Sequence, residues 1–285
     1  MKSSNKSYLG LDIGGTKIEG ILWRGGKVVR VAKVRTPRSR SGFLRALEAS
    51  LLELGVEGTR GIGISSAGSI DLRKGKILGS PNMRYLKNFG LRDWVAKHFK
   101  KPARLDNDAK CFLRGEQMFG QARGKGTVVA LTIGTGVGGA VAVGGRLLRG
   151  SHVSAIELGH TVISRDSKGF LTLEDLISSH GFTRLGVTDP LAVQNRGFAG
   201  DRKAINIYEK VGMYLGVGLA NFVNIFDPDL ILLGGGIARA DYLLIKPALR
   251  EMRKHTLTSL KKFPPVRRGR LKNAGALGAV ALFLS

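Results

Sequence analysis

The sequence predicts a mixed α/β protein in which two halves repeat one structural unit. The first observation is an apolar strand that runs into glycines, at Leu9–Lys17 and again at Leu131–Gly139. A second apolar strand follows each time, at Ile18–Trp23 and at Ala140–Val143, so each set of glycines lies at a hairpin tip. The second observation is that helical patterns alternate with the strands, as in a mixed sheet covered by helices. The alternative is two unrelated hairpins, because glycine-rich hairpins are common.

In the first half, apolar runs predict the strands and periodic apolar spacing predicts the helices. The expected strands are Tyr8–Ile13, Ile18–Trp23, Lys27–Arg35, Gly61–Ile64 and Ala103–Leu105. The expected helices are Gly42–Leu54, Leu91–Phe99 and Ala109–Phe119. Residues 65–82 are predicted to be irregular, and loops at strand ends often carry binding groups. The glycine-rich stretch at 120–126 is a candidate interdomain linker.

The second half restarts the same order. The expected strands are Thr127–Ile133, Gly138–Val143, Arg146–Leu148 and Asp229–Leu233. The expected helices are Leu173–Ser179, Arg202–Phe226 and a closing helix at Gly275–Leu284. Glycines 234–236 end the last strand, where they serve either as a simple turn into the next element or as a nucleotide contact.

Composition bounds the class of protein. The chain has 285 residues, of which 43% are hydrophobic, enough for one large or two modest domains. No apolar run approaches the length of a bilayer span, and the polar residues 1–7 lack the apolar core of a signal peptide, so we expect a cytoplasmic protein. The lone cysteine, Cys111, excludes a cysteine-rich zinc cage and is interpreted as a core residue rather than a reactive thiol.

The charge balance is strongly basic. Lys and Arg number 46 against 21 Asp and Glu, for a formal net charge of +25, and such a field attracts anions. The basic residues concentrate at Arg24–Arg45 and Lys246–Lys272. Each stretch holds one aromatic residue, Phe43 or Phe263, rather than a set that could stack on bases. A solvated basic surface is therefore favoured over a nucleic-acid site.

The paired glycine turns point to phosphate chemistry. Hairpin tips of this kind are expected to need positive φ and close backbone approach, and their unpaired N–H groups suit phosphate oxygens. Gly134, Gly136 and Gly139 also match a dinucleotide-binding fingerprint, but that fingerprint opens a helix, whereas here a strand follows. The chain lacks the P-loop motif as well. The turns favour a nucleotide-dependent phosphotransferase.

Four motifs in order carry a family resemblance, followed by a fifth at 232–237. They are Asp12-Ile13-Gly14-Gly15-Thr16-Lys17, Asn107-Asp108-Ala109, Gly134-Thr135-Gly136-Val137-Gly138-Gly139 and Glu157-Leu158-Gly159-His160. In this order and spacing the chain resembles the ROK sugar kinases throughout its length. The resemblance implies an actin-like, duplicated ribonuclease H-type fold, with a sugar and ATP meeting in a cleft between two domains.

The resemblance also implies the domain ranges. We expect a small α/β domain at residues 1–108, on which the closing helix at 273–285 packs back, and a larger α/β domain at residues 109–272. ATP and Mg²⁺ are the implied cofactors, and a homodimer is the implied assembly.

The resemblance makes Asp108 the general base for the sugar hydroxyl, with Asn107 binding the sugar. A well-placed base adds about 10²–10⁴-fold to the rate. Helix capping is the structural alternative for these residues, and it is compatible with catalysis because a helix N-terminus would keep Asp108 ionised. Asp106 is the rival carboxylate.

The nucleotide ligands follow from the same resemblance. Asp12 is expected near Mg²⁺ or its waters, since Mg²⁺ uses few protein carboxylates. The residues expected to line the phosphates and the adenosine pocket are Gly14, Gly15, Thr16, Lys17, Gly134, Thr135, Gly136, Gly235 and Gly236.

The sugar ligands implied by the resemblance are Glu157, His160 and Glu174, with contributions from Gly68 and Asn82. A core histidine is the alternative for His160. Many family members carry a zinc loop of three cysteines after that histidine, but residues 161–173 hold none, so no zinc is expected. Two further departures are Ile156 and Lys110, where the family has glycine and asparagine.

These residues predict a cytoplasmic transferase of carbohydrate metabolism, an ATP-dependent hexose kinase acting on the 6-hydroxyl of glucose or a related hexose or N-acetylhexosamine. Inorganic polyphosphate is the alternative donor, favoured by the net charge of +25. A sugar-responsive DNA-binding member of the family, or a sugar-binding protein without catalysis, is the alternative from another class. Nucleic acid and membranes are not expected as partners.

Overall fold

The computed structural model describes residues 6–151, 156–257 and 262–284. The chain folds into two compact units. Unit 1 comprises Met1–Arg123, Arg149–Ala155 and Leu271–Ser285, and unit 2 comprises Gly124–Leu148 and Ile156–Arg270. The expected domain ranges include residues 1–5, 152–155, 258–261 and 285, which lie outside the described residues. The expected boundary after residue 108 stays a prediction.

The strands and helices follow in chain order. Those of unit 1 begin with β1 (Ser7–Ile13), β2 (Lys17–Arg24), β3 (Lys27–Arg35), α1 (Arg40–Glu53), β4 (Ile62–Ser66), β5 (Ser69–Asp71), β6 (Lys76–Gly79), α2 (Leu91–Phe99), β7 (Ala103–Asn107) and α3 (Asp108–Phe119). Those of unit 2 are β8 (Val128–Ile133), β9 (Val137–Val143), β10 (Arg146–Leu147), β11 (Val162–Asp166), β12 (Gly169–Thr172), α4 (Leu173–Ile177), α5 (Ser179–Arg184), α6 (Pro190–Phe198), α7 (Arg202–Phe226), β13 (Leu230–Gly234), α8 (Tyr242–His255) and β14 (Val266–Arg268). The last helix, α9 (Ala274–Ala281), belongs to unit 1.

The main sheets of the two units have the same topology. Unit 1 has the strand order β3-β2-β1-β4-β7, and unit 2 has the order β10-β9-β8-β13-β14. In both sheets the first three strands pair antiparallel, and the remaining two continue parallel to the central strand. The two glycine turns are the β1–β2 and β8–β9 connections. The predicted duplication is confirmed, and the interpretation as unrelated hairpins is wrong.

The sheet of unit 1 is buried on both faces. Strand alternation sends Leu9, Leu11 and Ile13 of β1 into the core beneath α1 and α2. Gly10 lies on the opposite face, where a Cβ would be 2.1 Å from the carbonyl oxygen of Ala276 in α9. Small residues therefore let α9 lie directly on the sheet. Asp12, two residues along β1, lies on this same α9 face.

Helices α3 and α9 also approach each other through glycine. A Cβ at Gly278 would be 1.7 Å from the carbonyl oxygen of Cys111, and one at Gly115 would be 2.5 Å from that of Ala274. Cys111 is fully buried, as predicted. No side chain larger than glycine fits at Gly278 without moving the helix backbone.

Unit 2 builds its core between its sheet and the long helix α7. Val211, Leu215 and Leu219 recur at four-residue spacing along α7 and are fully buried with Val129 and Leu131 of β8. Along the described ranges, no helix combines the length and the apolar character that crossing a membrane would require.

Three segments differ from the sequence prediction. Residues 65–82, predicted to be irregular, contain the β5–β6 hairpin, and β11 and β12 form a second hairpin in residues 162–172. The helix predicted over Leu173–Ser179 is two helices, because Ser178 has an extended backbone and accepts a hydrogen bond from His180 N as the N-cap of α5. Helices α6 and α8 and strand β14 were not predicted.

Candidate active site

The first glycine turn is shaped by close contacts. Gly14 N donates to Lys17 O at 2.9 Å, and Thr36 Oγ1 donates to Gly14 O at 2.7 Å. A Cβ at Gly15 would be 2.4 Å from Cβ of Asn82, so this glycine lets Asn82 lie against the turn. Neither glycine has a positive φ. The expectation of left-handed backbone is wrong here, while the expectation of close approach is confirmed at Gly15.

The second glycine turn is tied to Glu174. Gly134 N donates to Gly136 O at 2.9 Å, and Val137 N donates to Oε2 of Glu174 at 2.6 Å. A Cβ at Gly136 would lie 2.6 Å from that same carboxylate oxygen. Gly134 and Gly136 also lack positive φ. Gly136 therefore makes room for a carboxylate that accepts a hydrogen bond from a backbone N–H of the turn.

Asp12 and Ser65 meet at the ends of β1 and β4. Ser65, which is fully buried, donates from Oγ to Oδ1 of Asp12 at 2.8 Å. Burial raises the pKa of Asp12, and the bond from Ser65 acts in the opposite direction. A Cβ at Gly275 would be 2.6 Å from Cγ of Asp12. Glycine at this position of α9 therefore leaves room for the Asp12 carboxylate.

A hard, partly buried carboxylate such as that of Asp12 fits Mg²⁺ or its waters. Over the described ranges, no cluster of three or more His, Cys, Asp or Glu side chains could hold a metal ion.

Asp108 is the first residue of α3 and is partly buried. Its Oδ1 accepts a hydrogen bond from Ala109 N at 2.9 Å. Burial, followed by the nearby charge of Asp12, raises its pKa from 3.8 to about 6. Burial and the second carboxylate thus outweigh the backbone bond at the helix N-terminus, although a group with this pKa is still mostly ionised at pH 7, as expected. A carboxyl group with this pKa can both release and accept a proton near neutral pH.

Asn107 is the N-cap of α3, as the capping interpretation predicted. Its Oδ1 accepts from Ala109 N and Lys110 N, while its Nδ2 donates to Gly68 O at 3.1 Å. Gly68 has a φ of +106° and a Cβ there would be 2.3 Å from Gly79 O, so only glycine fits. Asn107 thus connects the start of α3, where Asp108 lies, to the loop that holds Gly68.

Asp106 has a different environment from Asp108. Its side chain is 2% exposed and bonds both terminal nitrogens of Arg149, at 2.6 and 3.2 Å, while Asn107 N donates to Oδ1 at 2.8 Å. Both carboxylate oxygens of Asp106 thus already accept hydrogen bonds from Arg149, and one of them also from Asn107 N. The geometry therefore favours Asp108 over Asp106 as the base.

The predicted sugar ligands of unit 2 flank a short buried turn. Glu157 and His160 are exposed, while Leu158 and Gly159 between them are buried. A Cβ at Gly159 would be 2.2 Å from Val137 O, which fixes this turn against β9. His160 is not a core histidine. Ile156, at the position where glycine was expected, has a φ of +71°, a conformation that glycine adopts without strain.

Gly235 and Gly236 follow β13. Gly235 has a φ of +87°, and a Cβ there would be 2.2 Å from Ile133 O at the end of β8, so glycine is required. Gly236 has open space around it. This turn lies beside the β8 end that leads into the second glycine turn.

Sequence reasoning missed three groups beside these residues. Ser65 contacts Asp12, Arg149 pairs with Asp106, and Glu19 holds Lys17 at 3.0 Å. The only sequence signal for Glu19 was an acid placed between apolar residues of a strand. Ser65 and Arg149 carried no signal at all.

Two sheets of one topology, each with a glycine turn at the tip of its first hairpin, define an actin-like sugar-kinase fold. The chain belongs to the ROK family, whose sequence model matches residues 8–285.

Similar proteins include sugar kinases. The chain is 30% identical over 304 residues to a glucokinase of Thermotoga maritima, with 96% of each chain covered. It is 29% identical over 303 residues to an N-acetyl-D-glucosamine kinase of Pectobacterium atrosepticum, with 96% of this chain and 98% of that protein covered. The crystal structure of a ROK family glucokinase from Streptomyces griseus in complex with glucose and AMPPNP superimposes with a TM-score of 0.85 at 27% identity, covering 97% of this chain and 98% of that one.

Proposed function

We propose that this protein is an ATP-dependent hexose kinase that transfers the γ-phosphoryl group of ATP to a sugar hydroxyl. The observation that carries the proposal is the position of Asp108 at the start of α3, next to the sugar-binding candidate Asn107, in surroundings that raise its pKa to about 6. The names of the similar kinases favour glucose or N-acetylglucosamine as acceptor, and so the 6-hydroxyl group that both sugars carry. A cytoplasmic location is part of the proposal, and the homodimer stays a prediction.

Asp108 acts as the general base in this proposal. With a pKa of about 6 most of the carboxyl group is ionised at pH 7, so it can accept the proton of the attacking hydroxyl. Asn107 retains one amide hydrogen for a sugar oxygen, because only one of its two is used by Gly68. Asp106 is engaged in its ion pair with Arg149, so Asp108 is the one base in this proposal.

The phosphates of the donor are assigned to Gly14, Gly15, Thr16 and Lys17 of unit 1 and to Gly134, Thr135 and Gly136 of unit 2, with adenosine at Gly235 and Gly236. Mg²⁺, held through Asp12 or its waters, supplies charge neutralisation on the transferred phosphoryl group when bound. Phosphoryl transfer is chiefly positioning and electrostatic stabilisation, so rigid turns suit the task.

The sugar is assigned to Glu157, His160 and Glu174 of unit 2 and to Asn107, Gly68 and Asn82 of unit 1. Sugar hydroxyls need convergent donors and acceptors, which carboxylates, an imidazole and amides supply. Glu174 has a second contact, its bond from Val137 N, so it links the sugar assignment to the second glycine turn within unit 2.

A coupled ADP-release assay with MgATP, run across hexoses and N-acetylhexosamines, tests this function. We expect sugar-dependent turnover in the wild type and a loss of about 10²–10⁴-fold in kcat for Asp108→Asn. Asp93→Asn, an exposed acid of α2 in the same unit, is the matched control and should keep its rate. A folded wild-type protein without turnover on any sugar would overturn the proposal, and turnover only with polyphosphate in place of ATP would overturn the choice of donor.

A further inference from the structure

A cluster of opposite charges lies beside the first glycine turn, and the family motifs do not explain it. Glu19 of β2 is 5% exposed. Its Oε2 accepts from Nζ of Lys17 at 3.0 Å and from Nζ of Lys33 at 3.1 Å, while its Oε1 accepts from Nδ2 of Asn273. A single carboxylate oxygen therefore holds two ammonium groups side by side.

Strand register brings Lys33 to this position. In the β2–β3 pair, Glu19 lies opposite Lys33, and Lys17 lies opposite Arg35. The end of β3 is anchored to the turn itself, because Thr36 N donates to the carbonyl oxygen of Thr16 at 3.0 Å. The phosphate turn and the cationic end of β3 therefore form one local structure.

The cluster has one more positive charge than the Glu19 carboxylate can neutralise. Hydrogen bonds from Lys17, Asn273 and Lys33 outweigh the effect of burial and lower the pKa of Glu19, so its carboxylate is ionised at neutral pH. A single lysine would neutralise that charge, and two are present. Both lysine side chains are more than half exposed, at 54% and 58%, and an ammonium group has three donors. Each lysine keeps donors free for an anion that approaches from solvent.

We propose that Lys33 is a second phosphate-binding cation, which contacts the phosphates of the donor together with Lys17, and that Glu19 is the positioning residue that holds the two ammonium groups together. This inference rests on the proposed function, since it concerns the same nucleotide turn. It adds a residue from β3, outside the recognised motifs. Arg35 lies one residue before Thr36 and extends the positive charge along the strand.

Lys33→Ala tests the inference, with Lys27→Ala as the matched control. Lys27 is exposed on the same strand and has the same charge, but it pairs with Arg24 at the end remote from the turn. We expect Lys33→Ala to raise KM for MgATP about 3- to 10-fold, with KM for the sugar unchanged, as suits one half-exposed ionic contact. Lys33→Arg should restore most of the affinity, and Lys27→Ala should behave as the wild type.

Binding of inorganic tripolyphosphate, measured by calorimetry, provides a readout independent of catalysis. Weaker binding by Lys33→Ala than by Lys27→Ala would support the inference even if no sugar were phosphorylated, so the two proposals can fail separately. Equal tripolyphosphate affinity and equal KM for MgATP in both variants would overturn it. A lower unfolding temperature for Lys33→Ala with unchanged phosphate binding would also overturn it and would leave Lys33 as a structural partner of Glu19.

Discussion

Asp108→Asn should stabilise unit 1 while it removes activity. The native pKa of about 6, against an ordinary value of 3.8, means that the folded protein binds this proton more tightly than the unfolded chain does. The stabilisation due to that proton is complete below pH 3.8 and is lost as pH rises through 6. The ionised form therefore destabilises the fold by about 3 kcal/mol at pH 7 and about 1.5 kcal/mol at pH 5. Asparagine keeps the shape and the bond from Ala109 N without the charge.

Tryptophan fluorescence during urea unfolding is the appropriate measurement. The two tryptophans, Trp23 and Trp94, both lie in unit 1, so their signal follows the unit that contains Asp108. We expect the free energy of unfolding of Asp108→Asn to exceed that of the wild type by about 3 kcal/mol at pH 7, with the difference halving at pH 5. Asp93→Asn, which changes an exposed acid of α2, is the control in the same assay.

Two results would refute the reasoning. The first is an Asp108→Asn variant no more stable than the wild type at pH 7. The second is a stability difference that does not change between pH 5 and pH 7, since a conformational effect would be independent of proton binding. The same pKa should appear in catalysis, where kcat/KM falls below about pH 6 in the wild type as the base becomes protonated.

Two further substitutions test contacts that the motifs did not predict. Arg149→Ala should lower the free energy of unfolding of unit 1 by about 2 kcal/mol, because it leaves the buried carboxylate of Asp106 without its guanidinium partner. A loss of less than about 0.5 kcal/mol in the same fluorescence assay would contradict this. Glu174→Ala should raise KM for both the sugar and MgATP. The KM for MgATP should rise about 10-fold, because the hydrogen bond from Val137 N is lost. A rise in the KM for the sugar alone would show that the second glycine turn does not need this bond.

The hairpins and the duplication could be predicted because they depend on neighbouring residues. Apolar runs and glycines at Leu9–Lys17 and Leu131–Gly139 lie within a few residues of each other, and local patterns carry that information. The reason for the glycines could not be predicted. Gly15 leaves room for Asn82, and Gly136 leaves room for Glu174. Both partners are distant in the chain, so local patterns do not reveal them.

The charged partners escaped prediction for a related reason. Arg149 meets Asp106 across 43 positions of sequence, and Lys33 meets Glu19 only through strand register. Sequence spacing records neither relation. The raised pKa of Asp108 could not be predicted, because the sequence displays its helix N-terminus but not the burial and the nearby Asp12 charge that raise it.

The contacts of α9 with β1, β4 and α3 bear on the order in which the protein folds during synthesis. Unit 2 is built mainly from residues 124–270, whereas the sheet of unit 1 lacks one of its covering helices until α9 has been made. Domains generally fold as the ribosome releases them, the N-terminal ones first. Here the strands that leave the ribosome first can complete their core only after nearly the whole chain has followed. A chain that ends before α9 would therefore contain all of unit 2 but only an incomplete unit 1.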